Sequence, residues 1–93
     1  MRYNKFQQQT LFIITNQAKE VCRVISQLSN HGATIIEGKG SYDNCERSMV
    51  YSVVSRAESK RVIEAVKEVD ASAFINTVRT DYLSGRFYQK PEE

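Results

Sequence analysis

The chain has 93 residues, of which 41% are hydrophobic and 26% charged, a composition typical of one globular domain and unlike that of disordered proteins. The 13 basic and 11 acidic side chains leave a net charge of +2, too small to favour binding to nucleic acid or to an anionic membrane. No run approaches the roughly 20 apolar residues of a membrane-spanning helix, and the first ten residues are too polar for a signal peptide.

The first half of the chain predicts a strand, a helix and a second strand. Residues 10–15, TLFIIT, are apolar and β-branched, as in a buried strand. Across residues 17–30 apolar side chains recur every three or four positions, which predicts an amphipathic helix with Asn16 as its N-cap. Gly32 is expected to end this helix, because glycine reaches the left-handed conformation without a clash. A second strand is predicted at residues 33–39.

The second half predicts a strand, a helix and a final strand. Residues 48–55 are the most strand-like stretch of the chain. Ser55 and Glu58 have the spacing of a capping box, which predicts that the second helix begins there. That helix carries an apolar stripe and is expected to end before residues 70–72. Residues 73–78, AFINTV, make the fourth predicted strand.

This order of elements predicts an α+β fold, the ferredoxin-like βαββαβ sandwich, in which two helices cover one face of a four-stranded antiparallel sheet. The first and third strands are the most apolar and are expected at the centre of the sheet. We assign residues 10–87 to this single domain, residues 1–9 to a linker or lead-in, and residues 88–93 to a frayed tail, with a short turn around Tyr82 and Leu83.

Side chains alternate along the predicted strands so that both faces of the sheet are apolar. In the third strand Met49, Tyr51 and Val53 point one way, and Val50 and Val54 point the other. The face without helices would therefore expose some hundreds of Å² of apolar surface, which monomers rarely do. Covering ~400 Å² at ~25 cal/mol per Å² contributes on the order of 10 kcal/mol before the costs of association. We predict a homo-oligomer, a dimer or a trimer, with Met49, Tyr51 and Val53 in its interface.

RNA binding is the main alternative use of such a sheet, because the same topology carries the RNA-recognition motif. That use requires stacking aromatic side chains on the central strands and basic neighbours. Tyr51 is the one clear aromatic residue of the third strand, and the RNP1 pattern is missing. Nucleic acid is therefore not expected as a partner.

A Gly-Lys-Gly sequence, residues 38–40, lies at the end of the second predicted strand. Gly38 and Gly40 allow close approach of a ligand, their backbone N–H groups can form an anion-binding nest, and Lys39 adds a positive charge. A flexible connection between strands explains the same residues, since neither the Walker pattern nor the dinucleotide-binding pattern is present. Both interpretations stay open at this point.

The remaining reactive residues indicate structure rather than chemistry. His31 is the only histidine, and its place at the end of the first helix suggests that it caps backbone carbonyls. Cys22 lies on the apolar stripe of that helix and is expected in the core, whereas Cys45 is expected to be exposed in the loop. The two cysteines have no metal-ligand spacing, so a reduced, cytoplasmic setting is the default. We predict no enzyme activity, no metal and no cofactor.

Four segments carry a family resemblance: TLFIITNQAKEV, HGATIIEGKGSY, MVYSVVSRAESKRVIEAVKEVDASAF and VRTDYLSGRF. Together they resemble the soluble C-terminal domain of the YitT family, bacterial multi-spanning membrane proteins of unknown function. The most specific pieces are GATIIEGKGxY and VVSRxE, and the resemblance runs from about Thr10 to Phe87. The family often has Thr-Gly where this chain has Asp43 and Asn44.

The resemblance implies a PII-like domain at the cytoplasmic face of the plasma membrane, attached to a membrane-embedded part. PII-type proteins are trimers that bind nucleotides between subunits with a loop after the second strand. Gly38, Lys39, Gly40 and Tyr42 are therefore candidate ligand-binding residues by fold analogy. Nothing after Met1 resembles a membrane span, so we expect an excised domain or a free-standing relative.

Two functional hypotheses follow. The first is a non-catalytic regulatory or sensory domain that self-associates, binds a small nucleotide or other anion after the second strand, and acts on a membrane-embedded partner. The second is a purely structural oligomerisation module without a ligand.

Overall fold

The computed structural model describes residues 8–81 and residue 84. These residues form a βαββαβ sequence of elements. The strands and helices are β1 (Gln8–Thr15), α1 (Ala18–Leu28), β2 (Thr34–Lys39), β3 (Glu46–Ser55), α2 (Arg56–Val69) and β4 (Phe74–Thr80). The strands pair antiparallel in the order β2–β3–β1–β4. The predicted ferredoxin-like fold is confirmed, and β1 and β3 are its central strands.

The sheet begins earlier in the chain than predicted. Gln8 pairs with Ser55 on one side and with Thr80 on the other, so β1 starts two residues before position 10, inside the segment assigned to the lead-in. The Gln9 Oε1 atom accepts a hydrogen bond of 2.6 Å from Ser59 Oγ. Because Gln8 and Gln9 have polar side chains, the sequence did not predict that they belong to a central strand. The predicted turn near position 82 and the tail at 88–93 lie outside the described residues.

Helix α2 begins as its sequence predicts. The Glu58 amide donates to Ser55 Oγ at 3.1 Å, and the Ser55 amide donates to Glu58 Oε1 at 3.0 Å. This reciprocal pair is a complete capping box, which satisfies two backbone donors that the first turn of a helix would otherwise leave unpaired.

Both predicted ends of α1 are wrong. Gln17, not Asn16, is the N-cap residue, and it makes no side-chain capping bond. The helix ends at Leu28, well before Gly32, where Ser29 Oγ donates to the Ile25 carbonyl at 2.8 Å. A serine side chain that takes up a terminal carbonyl removes the need for a left-handed glycine at this end.

The core lies between the two helices and one face of the sheet. Its fully buried apolar side chains come from β1, β3, α1 and α2, and they are Leu11, Ile13, Val50, Val54, Val21, Ile25, Val62 and Val66. Cys22 packs against this cluster as predicted, and burial raises the pKa of its thiol. Cys45 is exposed, also as predicted.

Candidate functional site

The sheet face opposite the helices is apolar over most of its width. We call it the helix-free face, and its apolar residues are Phe12, Ile14, Ile36, Met49, Tyr51, Val53, Phe74 and Val78. Four of them form one row across all four strands, since Met49 lies opposite both Ile36 and Ile14, and Ile14 lies opposite Phe74. The exposed fractions of Phe74 and Ile36 are 67% and 45%.

The structure places the three predicted interface residues on the helix-free face, but with unequal exposure. Tyr51 is exposed, Met49 is half-buried and Val53 is buried. The Tyr51 ring packs on Phe12 with a centroid distance of 5.7 Å. The most exposed apolar side chain of the face, Phe74, belongs to an edge strand. Phe74 was not among the predicted interface residues; its place on this face follows from its pairing with Ile14.

The Gly-Lys-Gly sequence does not form an open loop. Gly38 and Lys39 belong to β2, and the Gly40 amide donates to the Cys45 carbonyl at 2.8 Å. The Asn44 amide in turn donates to the Gly40 carbonyl at 2.9 Å. The hairpin therefore uses part of the backbone that the predicted anion nest requires.

The side chain of Asp43 forms hydrogen bonds within the hairpin. Its Oδ1 atom accepts from the Cys45 amide at 3.1 Å, and its Oδ2 atom accepts from Arg47 Nη2 at 2.7 Å. These contacts, the Cys45 amide first, lower the pKa of the Asp43 carboxyl group. A Cβ atom at Gly40 would lie 2.7 Å from Asp43 Oδ1, so any other residue at position 40 would displace the Asp43 carboxylate.

The left-handed position of the hairpin is Asn44, with a φ of 61°. Neither Gly38 nor Gly40 has a left-handed φ. Asparagine tolerates this conformation better than other residues with a side chain. It thus fits the position where the YitT family often has glycine.

Lys39 lies between two carboxylates. It is directly opposite Glu46 on β3 and two residues from Glu37 on the same side of β2. These side chains and Gly38 line an open surface depression, whose formal charge is negative. The Tyr42 side chain is fully exposed and does not close the depression. The structure therefore gathers Gly38, Lys39 and Gly40 at the end of β2 and leaves Tyr42 in solvent.

The contacts of His31 and Asp70 indicate that both residues have a structural role in the fold. His31 is buried, three residues beyond the end of α1, with its Nε2 atom 3.7 Å from Glu58 Oε1. Asp70 was not identified from the sequence. Its carboxylate accepts a hydrogen bond of 2.6 Å from Thr15 Oγ1 and another of 3.0 Å from the Ser72 amide. The Thr15 hydroxyl is the main cause of the lowered pKa of Asp70.

No cluster of three or more potential metal ligands occurs within residues 8–81.

Sequence comparison identifies the family. The model of a family described as "Uncharacterized protein conserved in bacteria (DUF2179)" matches residues 31–85. The chain belongs to the DUF2179 family. This DUF2179 chain is 35% identical over 78 residues to UPF0750 membrane protein YitT of Bacillus subtilis (strain 168), a match that covers 84% of the chain and 28% of YitT. It is 28% identical over 78 residues to UPF0750 membrane protein YvjA of the same strain, covering 84% of the chain and 28% of YvjA.

These relatives confirm the resemblance to the YitT family. The DUF2179 chain spans less than a third of the length of either membrane protein. Of the helices between residues 8 and 81, none has the length and apolarity needed to cross a membrane.

Solved structures confirm the fold. A DUF2179 protein of Eubacterium ventriosum aligns with a TM-score of 0.62 and 29% identity, over 77% of this chain and 99% of that chain. A PII-like protein of Thermus thermophilus aligns with a TM-score of 0.61 and 17% identity, over 76% of this chain and 85% of that chain. The domain therefore has a PII-like fold.

Proposed function

We propose that this DUF2179 domain is a non-catalytic regulatory domain of a YitT-type membrane protein. It self-associates through the helix-free face and responds to a small nucleotide or other anion at the β2–β3 hairpin. The observation that carries the proposal is the apolar row formed by Ile36, Met49, Ile14 and Phe74, which neither of the two described helices covers.

The charge distribution on the helix-free face supports self-association. Among the described strand residues on this face, Arg47 alone is charged, and it is paired with Asp43 beside the hairpin. Cores of protein interfaces are likewise depleted in charged residues and rich in aromatic ones. Tyr51 and Phe74 supply exposed aromatic surface of the kind that dominates binding energy in such cores.

The ligand part of the proposal requires a second copy. Lys39 and Tyr42 are accessible, but Glu37 and Glu46 beside Lys39 oppose an anion in a single chain. A neighbouring copy would have to supply the additional positive charge. The PII-like neighbour is described as a signaling protein, which is consistent with a regulatory role here.

The membrane setting is inferred from the relatives. YitT and YvjA are named as membrane proteins, so we place this domain beside a membrane-embedded part of the same or another chain. Cys22 and Cys45 are both free thiols, which is consistent with the cytoplasmic face of the plasma membrane.

Self-association is tested by removing one exposed ring from the helix-free face. We expect Phe74→Ser to weaken association about tenfold or more, because it deletes apolar surface from the row. Tyr42→Ser is the matched control, since it removes an exposed ring outside the face. Light scattering after gel filtration measures both; equal molar masses for the two variants at every concentration would contradict the proposed surface.

Ligand binding is tested by thermal shift with ATP, ADP and cyclic dinucleotides. A ligand at 100 times its dissociation constant should stabilise the domain by about 2.7 kcal/mol. We expect Lys39→Ala to abolish that gain and Lys60→Ala, on the exposed side of α2, to retain it. The two carboxylates beside Lys39 favour the second hypothesis, a structural oligomerisation module. Absence of a shift with every anion, together with intact self-association, would support that module instead.

A further inference from the structure

Strand β2 is an edge strand that the helices do not cover. All six of its residues are exposed. Ile35 lies on the helix side of the sheet, opposite the fully buried Val50, yet its own exposed fraction is 38%. Its neighbour Ile36 is exposed on the helix-free side. β2 therefore presents apolar surface on both sides of a sheet edge with which no further described strand pairs.

The outer edge of β2 also presents backbone hydrogen-bonding groups. The Gly40 amide points toward β3, where it donates to the Cys45 carbonyl. Because inward and outward groups alternate along an antiparallel strand, the N–H and C=O groups of Lys39, Glu37 and Ile35 point away from β3. An edge of this kind is a template for pairing with another strand.

The charges on β2 are self-complementary. Glu37 and Lys39 lie on the same side of the strand with Gly38 between them. In two antiparallel β2 strands related by a two-fold axis at Gly38, each Glu37 lies opposite the partner's Lys39. Lys39 forms no ion pair with another described residue in its own chain, so its charge is available for this contact.

Packing within one chain does not explain the glycine at position 38. A Cβ atom there would meet its nearest neighbour, the Arg47 carbonyl oxygen, at an ordinary 3.8 Å. The backbone of Gly38 is not left-handed either. Glycine inside a strand often marks a close approach by another backbone, which the proposed axis would supply.

We propose that β2 docks against β2 of a second copy of this chain, antiparallel and centred on Gly38, so that the sheet continues from one copy into the next. Glu37 of each copy faces the partner's Lys39. The outward N–H and C=O groups of these two residues form backbone hydrogen bonds across the axis. This edge contact is separate from the helix-free face, because it joins strands side by side and leaves both sheet faces open.

The charge pairing is tested with two single variants and their mixture. Glu37→Lys and Lys39→Glu each place like charges opposite one another in a self-pair, so each should associate about tenfold more weakly than the unmodified chain. In an equal mixture, the two lysines of one chain face the two glutamates of the other. We expect the mixture to form heterodimers with about the affinity of the unmodified chain, measured by sedimentation velocity.

The double variant Glu37→Lys/Lys39→Glu is the control for lost folding, since it restores opposite charges and should associate as the unmodified chain does. The same pattern should persist with Phe74→Ser added, which separates the edge contact from the helix-free face. Single variants that associate normally, or a mixture no tighter than its components, would overturn the proposed pairing.

Amide exchange tests the backbone part of the pairing. The Glu37 and Lys39 amides should exchange more slowly as the chain concentration rises, because association protects them. In Glu37→Lys alone the same protection should require an about tenfold higher chain concentration. Exchange at these two amides that is independent of concentration in the unmodified chain would overturn the β2–β2 contact.

Discussion

The two faces of the sheet are built from the same strands and have similar apolar content, yet they have different surroundings. Ile13 and Ile14 are neighbours in β1. Ile13 is fully buried under the helices, whereas Ile14 is half-buried on the helix-free face. The difference lies in the cover, because α1 and α2 both pack on one side. Alternation along a strand can thus identify two apolar faces, while the topology decides which one the two helices cover.

The largest expected effect compares those two isoleucines directly. Ile13→Ala should lower the free energy of unfolding by about 2–5 kcal/mol, since it leaves a cavity in a packed core. Ile14→Ala removes the same atoms from a half-buried position and should cost about 1 kcal/mol in the dilute chain. Urea unfolding followed by circular dichroism measures both. Equal losses for the two variants would mean that the helix-free face is as well packed as the core.

A smaller effect concerns the helix layer that covers one face. Ser55→Ala removes the hydroxyl that accepts from the Glu58 amide and should cost about 1 kcal/mol of stability. Ser48→Ala, which removes an exposed hydroxyl bonded to Glu37, should change stability by less than about 0.5 kcal/mol. The comparison comes from the same urea titrations, and a Ser55→Ala chain as stable as the unmodified one would contradict the capping role.

The smallest effect is a pH dependence at the end of β1. The pKa of Asp70 is lowered, chiefly by the Thr15 hydroxyl, so the carboxylate stabilises the fold above the unfolded pKa of about 3.9. That contribution is lost as pH falls through the lowered folded pKa. Asp70→Asn should therefore reduce the fall in unfolding free energy between about pH 6 and about pH 3. Glu64→Gln, on the exposed side of α2, serves as the control; an unchanged pH profile in Asp70→Asn would refute the assignment.

Much of the fold could be predicted because its signals are local. The capping box at Ser55 and the alternation along β3 each depend on residues close in sequence, and both are confirmed. The start of β1 was missed because Gln8 and Gln9 are in the sheet through pairing with strands far along the chain. No local pattern reports such pairing.

The candidate site was harder to predict because its geometry depends on several strands. The glycines at 38 and 40 were interpreted as one ligand-binding motif, but Gly38 pairs within β2 and Gly40 makes room for Asp43. The carboxylates beside Lys39 come together only when β2 pairs with β3. Phe74 joins the apolar row only through its register with Ile14.

Sedimentation equilibrium of the unmodified chain tests the central claim most directly. If the helix-free face is an association surface, the weight-average molar mass should rise above that of one chain, 10.7 kDa, within the micromolar range and approach that of a defined oligomer. A molar mass of one chain throughout the tens of micromolar would contradict the account, because the apolar row would then be stable in water without a partner.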